Sequence, residues 1–306
     1  MAIDGTVKSG FVSIIGLPNA GKSSFLNAVI NENLAITSKK PQTTRKNLKG
    51  IYNDEESQII FVDTPGIHKV KNKLDDYMSK NINKSIDEID MIIVIVDIMT
   101  YEIDDYDKIN KILSSKASVK KVLIVNKCDL VESIDDDLEN IIINKFDKNL
   151  RFDKIFYISS LKKKNIKDVI DYIKNELPYG YRYYNEEDLT DEPMKQIVAD
   201  IIRQQCLYKL DKEIPHGIAI VVESMKKSKT KCMNIDASII CERDSHKGII
   251  IGKSGAMTKN IGTGSRIAIE KFMNCKVNLK LNVVVKENWR DENTLLVNFG
   301  YDGSKI

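Results

Sequence analysis

Apolar residues in the first part of the chain come in short, continuous runs rather than in strict alternation with polar ones. Five of these runs are rich in Ile and Val and predict β-strands. They cover residues 11–16, 58–63, 91–97, 121–126 and 154–159. Amphipathic runs with helical spacing lie between them, for example at residues 22–30, 74–86 and 166–177. Strands that are apolar on both faces are typical of a mostly parallel sheet covered by helices on both sides, so the pattern predicts a doubly wound α/β domain over residues 1–178.

The pattern changes after Pro178. Residues 179–192, YGYRYYNEEDLTDE, combine tyrosines with acidic residues and predict a linker. The remaining residues, 193–306, predict a helix, two strands, one or two short helices, a strand and a final helix. This order, α-β-β-α-α-β, indicates a second domain of the α+β class.

The composition is that of a folded globular protein, with 42% hydrophobic and 30% charged residues in a chain of 306. The amino terminus does not resemble a signal peptide, and the longest apolar run, residues 91–98, is too short to span a membrane. We therefore expect a cytoplasmic protein. The five cysteines are odd in number and form no CxxC pair, so neither a disulfide framework nor a zinc site is predicted.

The charge is unevenly distributed along the chain. Residues 1–178 carry 27 basic and 27 acidic side chains, and the predicted linker carries one basic and five acidic ones. Residues 193–306 carry 19 basic and 12 acidic side chains. The basic excess therefore lies in the second domain, where it favours a polyanionic partner.

Residues 16–24, GLPNAGKSS, follow the first predicted strand and begin the first predicted helix. Their GxxxxGKS pattern is that of a phosphate-binding P-loop. In such a loop the backbone N–H groups face the phosphates, the lysine neutralises phosphate oxygens, and the serine hydroxyl holds Mg²⁺. The predicted nucleotide-binding residues are Asn19, Ala20, Gly21, Lys22, Ser23 and Ser24.

Three further motifs end predicted strands, where ligands bind in parallel sheets. In DTPG, residues 63–66, Asp63 is placed to reach Mg²⁺ and the Gly66 amide to contact the γ-phosphate. In NKCD, residues 126–129, the Asp129 carboxylate can accept from the ring N–H and the amine of guanine, a donor pair that adenine lacks. A backbone amide in Ser159-Ser160-Leu161 can bind the guanine carbonyl. The set predicts a GTPase, with Asn126, Lys127, Asp129, Ser159 and Ser160 around the base.

The polar loop KKPQTTRK, residues 39–46, contains two threonines. One of them should close on Mg²⁺ when the γ-phosphate is present and release it after hydrolysis. We favour Thr44, which directly precedes Arg45, and keep Thr43 as the alternative. The predicted metal ligands are then Ser23, Thr44 and Asp63, and the predicted catalytic residues are Lys22, Thr44 and Gly66.

Ile67 follows the DTPG glycine, where a Ras-type enzyme has a glutamine that orients the attacking water. An apolar side chain cannot orient water, so we expect slow intrinsic hydrolysis. The adjacent His68 is interpreted as a mobile switch residue rather than as a general base.

A second GKS sequence, within Gly252-Lys253-Ser254-Gly255, is not a second P-loop, because Lys247 occupies the position where the first glycine would be required. A GxxG tetrapeptide between two helices is instead typical of a KH domain, whose turn contacts a single-stranded nucleic-acid backbone beside an apolar groove for about four bases. Predicted RNA-binding residues are Ile251, Gly252, Lys253, Ser254 and Gly255, with Ile249, Ile250, Ile251 and Ile261 as the groove floor. A glycine turn in a protein-binding module is the alternative.

Taken together, the two halves resemble the Era family of bacterial GTPases over essentially the whole chain. The motifs that carry the resemblance are PNAGKS, QTTR, DTPGIH, NKCD, IIGKSG and WRDENTLLVNFGY. Two departures are minor. Leu17 stands where the family often has Arg, and Ser160 stands where it commonly has Ala. The second departure should preserve the guanine contact, which is made through the backbone.

The resemblance implies GTP-gated binding of the 3′ end of small-subunit ribosomal RNA and a role in assembly of the small ribosomal subunit. It also implies a peripheral association with the inner face of the cell membrane, and we expect a monomer. In related GTPases with PNxGKS, the asparagine helps to hold a K⁺ ion, which makes Asn19 a candidate K⁺ ligand beside GTP or GDP and Mg²⁺. A signalling or trafficking switch with a protein-binding tail, and a P-loop ATPase, are the competing functions.

Overall fold

The computed structural model describes residues 6–38, 40–99, 106–134, 136–148, 150–228 and 232–301. The chain forms two compact units. The first comprises Met1–Val70 and Met78–Asp191, and the second comprises Lys71–Tyr77 and Glu192–Ile306. No helix in the described ranges is long and apolar enough to cross a membrane.

The first unit is built on one twisted sheet. Its strands are β1 (Val7–Ile15), β2 (Leu48–Asn53), β3 (Ser57–Asp63), β4 (Met91–Asp97), β5 (Lys120–Asn126), β6 (Lys154–Tyr157) and β7 (Tyr179–Gly180). The order across the sheet is β2-β3-β1-β4-β5-β6, with β7 paired to the start of β1. All neighbours on this path are parallel except β2, which runs antiparallel to β3; β7 is antiparallel to β1. The predicted α/β class with a mostly parallel sheet is confirmed.

Helices cover both faces of this sheet. They are α1 (Lys22–Ile30), α2 (Lys73–Lys84, of which the part from Met78 onward belongs to this unit), α3 (Tyr106–Ser115), α4 (Asp136–Ile143) and α5 (Ile166–Glu176). Strand β4 shows why its sequence is apolar throughout: Met91, Ile93 and Ile95 pack in one core with α1 and α5, and the intervening residues pack in a second core with α2, α3 and α4. Each face of the strand therefore meets its own layer of helices.

Strands β2 and β7 were not predicted. β2 is a short edge strand of six residues with no long apolar run, and β7 has only two residues. Both lie where sequence periodicity is weakest, because too few positions are available to show alternation.

The segment predicted as a linker packs against the first unit. The Gln58 side chain, which is buried on β3, accepts from the backbone N–H groups of Tyr183 and Tyr184 at 2.6 and 3.0 Å. Arg182 donates to the backbone oxygens of Asp54 and Ser57 at 2.8 and 3.1 Å. Further along, the Ile51 N–H donates to the Leu189 carbonyl at 2.9 Å. Hydrogen bonds to β2 and β3, which composition alone does not predict, hold this segment in place.

The second unit is an α+β module. Its helices are α6 (Met194–Lys209), α7 (Asp244–Ile251), α8 (Ala256–Met273) and α9 (Asn293–Asn298), and its strands are β8 (Ala219–Lys227), β9 (Met233–Cys241) and β10 (Val277–Val285). The sheet order is β10-β9-β8, with β8 antiparallel and β10 parallel to β9. The α-β-β-α-α-β order predicted from the sequence is present, and α6 and α8 pack on this sheet around a core that includes Ile202, Ile239 and Ile269.

Candidate functional site

The phosphate loop joins β1 to α1. It turns sharply because Asn19 and Gly21 have positive φ angles of 63° and 95°. A Cβ atom at Gly21 would collide with the side-chain amide of Asn126, so only glycine fits there. That amide also donates to the Ala20 carbonyl at 3.0 Å. The first and third predicted motifs are therefore in direct contact.

Lys22 is the buried cation of the loop. Its Nζ donates to the carbonyl oxygens of Gly16 and Leu17 at 3.0 and 2.9 Å. Burial lowers the pKa of Lys22 to about 8, and the charge of Asp63 opposes this shift only in part. A cation held in a poorly solvated loop is well suited to an anionic ligand, because the ligand's phosphates would replace the solvation that the amine has lost.

The three predicted metal ligands lie together. The Ser23 hydroxyl donates to Asp63 Oδ2 at 2.6 Å, and the Thr44 hydroxyl lies 2.8 Å from Ser23 Oγ and 3.2 Å from the same carboxylate oxygen. Thr43 points elsewhere and donates to the Lys40 carbonyl at 3.1 Å. The structure thus brings Thr44, rather than Thr43, to Ser23 and Asp63.

Asp63 has the electrostatics of a cation ligand. The residue is fully buried, and no donor in the described part of the chain reaches its Oδ1 atom. Burial raises the pKa of Asp63, with Lys22 and the two hydroxyls acting in the opposite direction. A buried carboxylate with an unsatisfied oxygen beside two hydroxyls fits a hard divalent cation such as Mg²⁺, which prefers oxygen ligands.

The residues after Asp63 lie against the phosphate loop. The Ile67 N–H donates to the Gly16 carbonyl at 3.2 Å, and a Cβ atom at Gly66 would be within 3.0 Å of Pro18. Ile67 itself is buried in the core, so it does not occupy the position of a water-orienting side chain. His68 Nδ1 lies 2.7 Å from the Gly66 carbonyl, a contact within the loop. Gly66 is therefore held next to the P-loop, as the DTPG motif predicts.

The base-binding motifs meet at the ends of β5 and β6. Asn126 Oδ1 accepts from the Ser160 N–H at 3.0 Å, and Asp129 Oδ1 accepts from the Ser159 hydroxyl at 2.5 Å. Lys127 has a positive φ of 67°, and its Nζ donates to Asp97 Oδ2 at 2.6 Å. The Ser159 hydroxyl therefore orients the Asp129 carboxylate through Oδ1.

The sequence motifs missed two residues that support this site. Asp97, at the end of β4, anchors Lys127. Asn27, on α1, binds both backbone groups of Ala35 at 2.7 and 2.8 Å and so fixes the start of the loop that carries Thr44. Position could have suggested Asp97, which ends a parallel strand as Asp63 does, but no pattern points to Asn27. Of the remaining predicted residues, Asn19 is exposed on the loop and Ser24 is part-buried on α1.

The GxxG turn joins α7 to α8 in the second unit. Gly252, Ser254 and Gly255 all have positive φ angles, of 72°, 49° and 80°. A Cβ atom at Gly252 would be within 2.9 Å of the Met257 backbone, whereas the space around Gly255 is open. Lys253 and Ser254 are exposed. The open side of the turn allows another backbone to approach closely, which is the requirement of a KH-type contact.

A groove of about 560 Å³ lies beside this turn. Its apolar lining comes from Ile251 on α7 and from Leu279, Leu281 and Val283 on β10. The predicted floor is therefore wrong in part: Ile250 and Ile261 are fully buried in the core, and Ile249 is exposed and not part of the lining. Residues at i and i+1 on a helix face different directions, so the GIII run cannot line one groove.

The polar rim of the groove comes from α8 and, through Asn282, from β10. The α8 residues are Thr258, Lys259, Thr263 and Arg266. Arg266 is paired with Glu270 at 3.0 Å, and Lys259 is exposed. The sequence motifs did not identify these side chains or the β10 residues. The alternation in VNLKLNVVV is the signal that could have identified the β10 residues, because it leaves one face of an edge strand apolar.

Two family models match the chain in the order of its two units. The model described as 50S ribosome-binding GTPase matches residues 11–127, and the model described as KH domain matches residues 213–290. GTPase Era from Clostridioides difficile strain 630 is 45% identical over 302 residues, covering 96% of this chain and 99% of that protein. GTPase Era from Clostridium kluyveri is 43% identical over 297 residues, with 96% and 99% covered.

Solved structures agree with these sequence matches. A crystal structure of a single-residue variant of Aquifex aeolicus Era bound to GDP·AlF4⁻ superposes with a TM-score of 0.91 at 31% identity, covering 97% of this chain and 100% of that one. A crystal structure of Era in complex with MgGDPNP and nucleotides 1506–1542 of 16S ribosomal RNA also gives 0.91, at 30% identity, with 97% and 99% covered. The P-loop GTPase unit, the KH unit and the full-length likeness lead to one conclusion: this chain belongs to the Era family of GTPases.

Proposed function

We propose that this chain is a GTP-hydrolysing switch that binds single-stranded RNA near the 3′ end of the small-subunit ribosomal RNA and assists assembly of the small ribosomal subunit. One observation carries the proposal: residues that fit a guanine nucleotide and an open GxxG turn beside a groove occur in one chain, in the same order as in a relative solved in complex with MgGDPNP and nucleotides 1506–1542 of 16S ribosomal RNA. The RNA and the small ribosomal subunit are accordingly the proposed partners.

Three groups of residues in the first unit would bind the phosphates, Mg²⁺ and the base. Asn19 to Ser24 would wrap the phosphates, with Lys22 supplying a positive charge. Ser23, Thr44 and Asp63 would hold Mg²⁺, which when bound neutralises charge on the phosphate oxygens. Asp129 would accept from guanine, with Asn126 and Lys127 fixing the loops around it and Ser159 and Ser160 closing the pocket.

The switch would depend on Thr44 and Gly66. Thr44 lies on a loop whose start is held by the contacts of Ala35 with Asn27 on α1, and the Thr44 hydroxyl contacts Ser23 and Asp63. Gly66 would report the γ-phosphate through its backbone N–H. Because Ile67 is buried and apolar, hydrolysis would be slow without further help.

We propose that K⁺ accelerates GTP hydrolysis, with Asn19 as one of its ligands. The support is the PNAGKS sequence and the exposed position of Asn19 on the loop. Comparing GTP turnover in K⁺ with turnover in Na⁺ tests this, and equal rates would remove it.

The location and oligomeric state of the protein form a separate part of the proposal. We propose a cytoplasmic monomer with a peripheral association at the inner face of the cell membrane, and the basic excess of residues 193–306 supports the membrane association. Flotation with vesicles containing anionic lipid tests the association, which should disappear at high salt.

The experiment for the main proposal measures binding of a single-stranded RNA with the 3′-terminal sequence of 16S ribosomal RNA. The protein is loaded with GDP or with a non-hydrolysable GTP analogue. Gly252→Asp combined with Gly255→Asp places two carboxylates where the RNA backbone would approach, so affinity should fall about a hundredfold or more while GTP hydrolysis without RNA is unchanged. Binding that survives both substitutions would contradict the proposed RNA contact of the GxxG turn.

A further inference from the structure

One peptide group in the loop after β3 is held at both of its ends. It joins Gly66, the last residue of the DTPG motif, to Ile67. Its N–H, which belongs to Ile67, donates to the Gly16 carbonyl of the phosphate loop at 3.2 Å. Its oxygen, which belongs to Gly66, lies 2.7 Å from Nδ1 of His68. One contact to the phosphate loop and one contact to a side chain therefore fix the orientation of this peptide.

The His68 contact is a hydrogen bond in which the imidazole is the donor. A carbonyl oxygen can only accept, so the ring carries a proton on Nδ1. The neutral ring and the charged ring can both provide that proton, and the bond therefore does not require a particular charge on His68. Nδ1 is the ring nitrogen that acts on the loop, and Nε2 takes no part in this contact.

The segment around this peptide is anchored at both ends to regular elements of the first unit. At its start the Thr64 hydroxyl donates to the carbonyl of Ile14, on β1, at 2.7 Å. At its end Lys108, on α3, donates from Nζ to the His68 carbonyl at 2.7 Å. These two contacts place the segment, and the His68 hydrogen bond sets the orientation of the Gly66–Ile67 peptide within it.

Gly66 is the residue whose orientation needs such a restraint. A glycine has no Cβ atom to limit φ and ψ, so the direction of its N–H is poorly defined unless a neighbouring peptide is held. The residue also lies so close to the phosphate loop that a Cβ atom would be within 3.0 Å of Pro18. A donor that stabilises charge in a reaction is most effective when it is oriented before the ligand binds, because no free energy is then spent on reorientation.

From these contacts we propose that His68 is a positioning residue for GTP hydrolysis. Its Nδ1–H holds the Gly66–Ile67 peptide so that the Gly66 N–H faces the γ-phosphate. The inference rests on the proposed contact between Gly66 and the γ-phosphate. His68 acts on the loop rather than on the attacking water, so its role differs from that of a general base and from that of the glutamine in a Ras-type enzyme.

The test compares three substitutions of His68 in the full chain with saturating GTP and Mg²⁺. Asparagine carries its amide nitrogen on Cγ, the atom that carries Nδ1 in histidine, so His68→Asn should retain the hydrogen bond to Gly66. The amide of glutamine lies one carbon further out, and alanine has no donor. His68→Gln and His68→Ala should therefore lower kcat for GTP hydrolysis about tenfold, whereas His68→Asn should stay within about threefold of the unchanged protein.

A binding measurement separates positioning from a general structural effect. GDP has no γ-phosphate, so the affinity for GDP should stay within about twofold in all three variants. The affinity for a non-hydrolysable GTP analogue should fall about three- to tenfold in His68→Ala and His68→Gln, which is the size expected for one hydrogen bond. Lys108→Met, which removes the donor to the His68 carbonyl, should lower the same affinity by a smaller factor. His216→Ala, at a half-buried histidine of the second unit, is the control and should leave both affinities unchanged.

Gly66→Ala distinguishes the two ways in which the inference can fail. Its Cβ atom would push the loop away from Pro18, so this variant should lose preference for the GTP analogue over GDP. If Gly66→Ala keeps that preference, the proposed contact of Gly66 with the γ-phosphate is wrong, and the inference is wrong with it. If Gly66→Ala loses the preference but His68→Ala keeps it, only the positioning role is wrong. An active His68→Gln beside an inactive His68→Asn would also overturn the inference, because that pattern would assign His68 a direct role through Nε2.

Discussion

Asp63 and Asn126 in the nucleotide site are almost completely buried, whereas Lys253 and Ser254 at the GxxG turn are exposed. The buried pair is held by hydrogen bonds to Ser23, Ala20 and the Ser160 N–H. The turn offers backbone, glycine and one cation to whatever approaches it. One site is built before its ligand arrives, and the other is a surface on which a polymer is held at many points.

This difference indicates how strongly ligand affinity depends on single residues in each site. When a buried polar group loses its hydrogen-bond partner, the full free-energy cost of its desolvation is no longer compensated. A single substitution in the nucleotide site should therefore abolish most of the nucleotide affinity. Contacts to an exposed polymer each contribute a small, salt-dependent part of the affinity, so the RNA surface should respond in graded steps. Four substitutions test this contrast, from the largest expected effect to the smallest.

Asp129→Asn should produce the largest change. The amide can no longer accept from both donors of guanine, so affinity for GDP should fall about a thousandfold or more, while affinity for xanthosine diphosphate should rise. Fluorescent-nucleotide titration measures both. Asp137→Asn, at an exposed position on α4, is the control and should leave both affinities unchanged. Unaltered guanine preference in Asp129→Asn would refute the assigned base contact.

Lys22→Met should remove a pH dependence of stability. Burial lowers the pKa of Lys22 from 10.5 to about 8, so between these pH values the unfolded chain binds more protons than the folded protein. The free energy of unfolding of the nucleotide-free protein should therefore rise with pH in that window, by roughly 2 to 3 kcal/mol in total. Urea unfolding at several pH values should show this rise in the unchanged protein relative to Lys22→Met, and parallel curves would contradict it.

Thr44→Ala and Thr43→Ala form a matched pair. Thr44 contacts Ser23 and Asp63, whereas Thr43 contacts the Lys40 carbonyl, so only the first change should affect hydrolysis. We expect GTP turnover to fall about tenfold in Thr44→Ala and to stay within about twofold in Thr43→Ala. Phosphate release in saturating Mg²⁺ measures both rates. An equal loss of GTP turnover in the two variants would mean that hydrolysis depends on the loop as a whole rather than on the Thr44 hydroxyl.

Lys253→Ser should give the smallest effect. Losing one phosphate contact should weaken single-stranded RNA binding about three- to tenfold and reduce the slope of log affinity against log salt concentration by about one. Lys271→Ser, an equal charge change at an exposed position on α8, is the control. An all-or-none loss of binding in Lys253→Ser would erase the contrast drawn between the two sites.

Much of the nucleotide site was predictable from the sequence, because its motifs end strands. Asp63 and Asn126 are the last residues of β3 and β5, and the carboxyl ends of parallel strands meet at one edge of the sheet. Asn27 was not predictable in the same way. Its contact to Ala35 depends on the path of a loop, and no periodic pattern describes that path.

The second unit shows more clearly which features cannot be predicted from the sequence. The element order and the GxxG turn follow from the sequence, but the groove lining does not. The run GIII gives no sign that Ile250 faces the core and Ile251 the groove, because that depends on the angle at which α7 packs. The β10 residues Leu279 and Leu281 face the groove from another part of the chain, so only the tertiary fold joins them to Ile251.

The hydrogen bonds of Gln58 have a practical consequence for dividing the protein into fragments. Its side chain joins Asn53, Tyr183 and Tyr184 through four hydrogen bonds. A GTPase fragment that ended at Pro178, where the sequence pattern stops, would leave this buried amide without most of its partners and would uncover the edge at Ile51. A fragment that continues to Asp191 keeps them, including the Lys49–Asp191 ion pair. The natural place to separate the two units is therefore after Asp191 rather than before Tyr179.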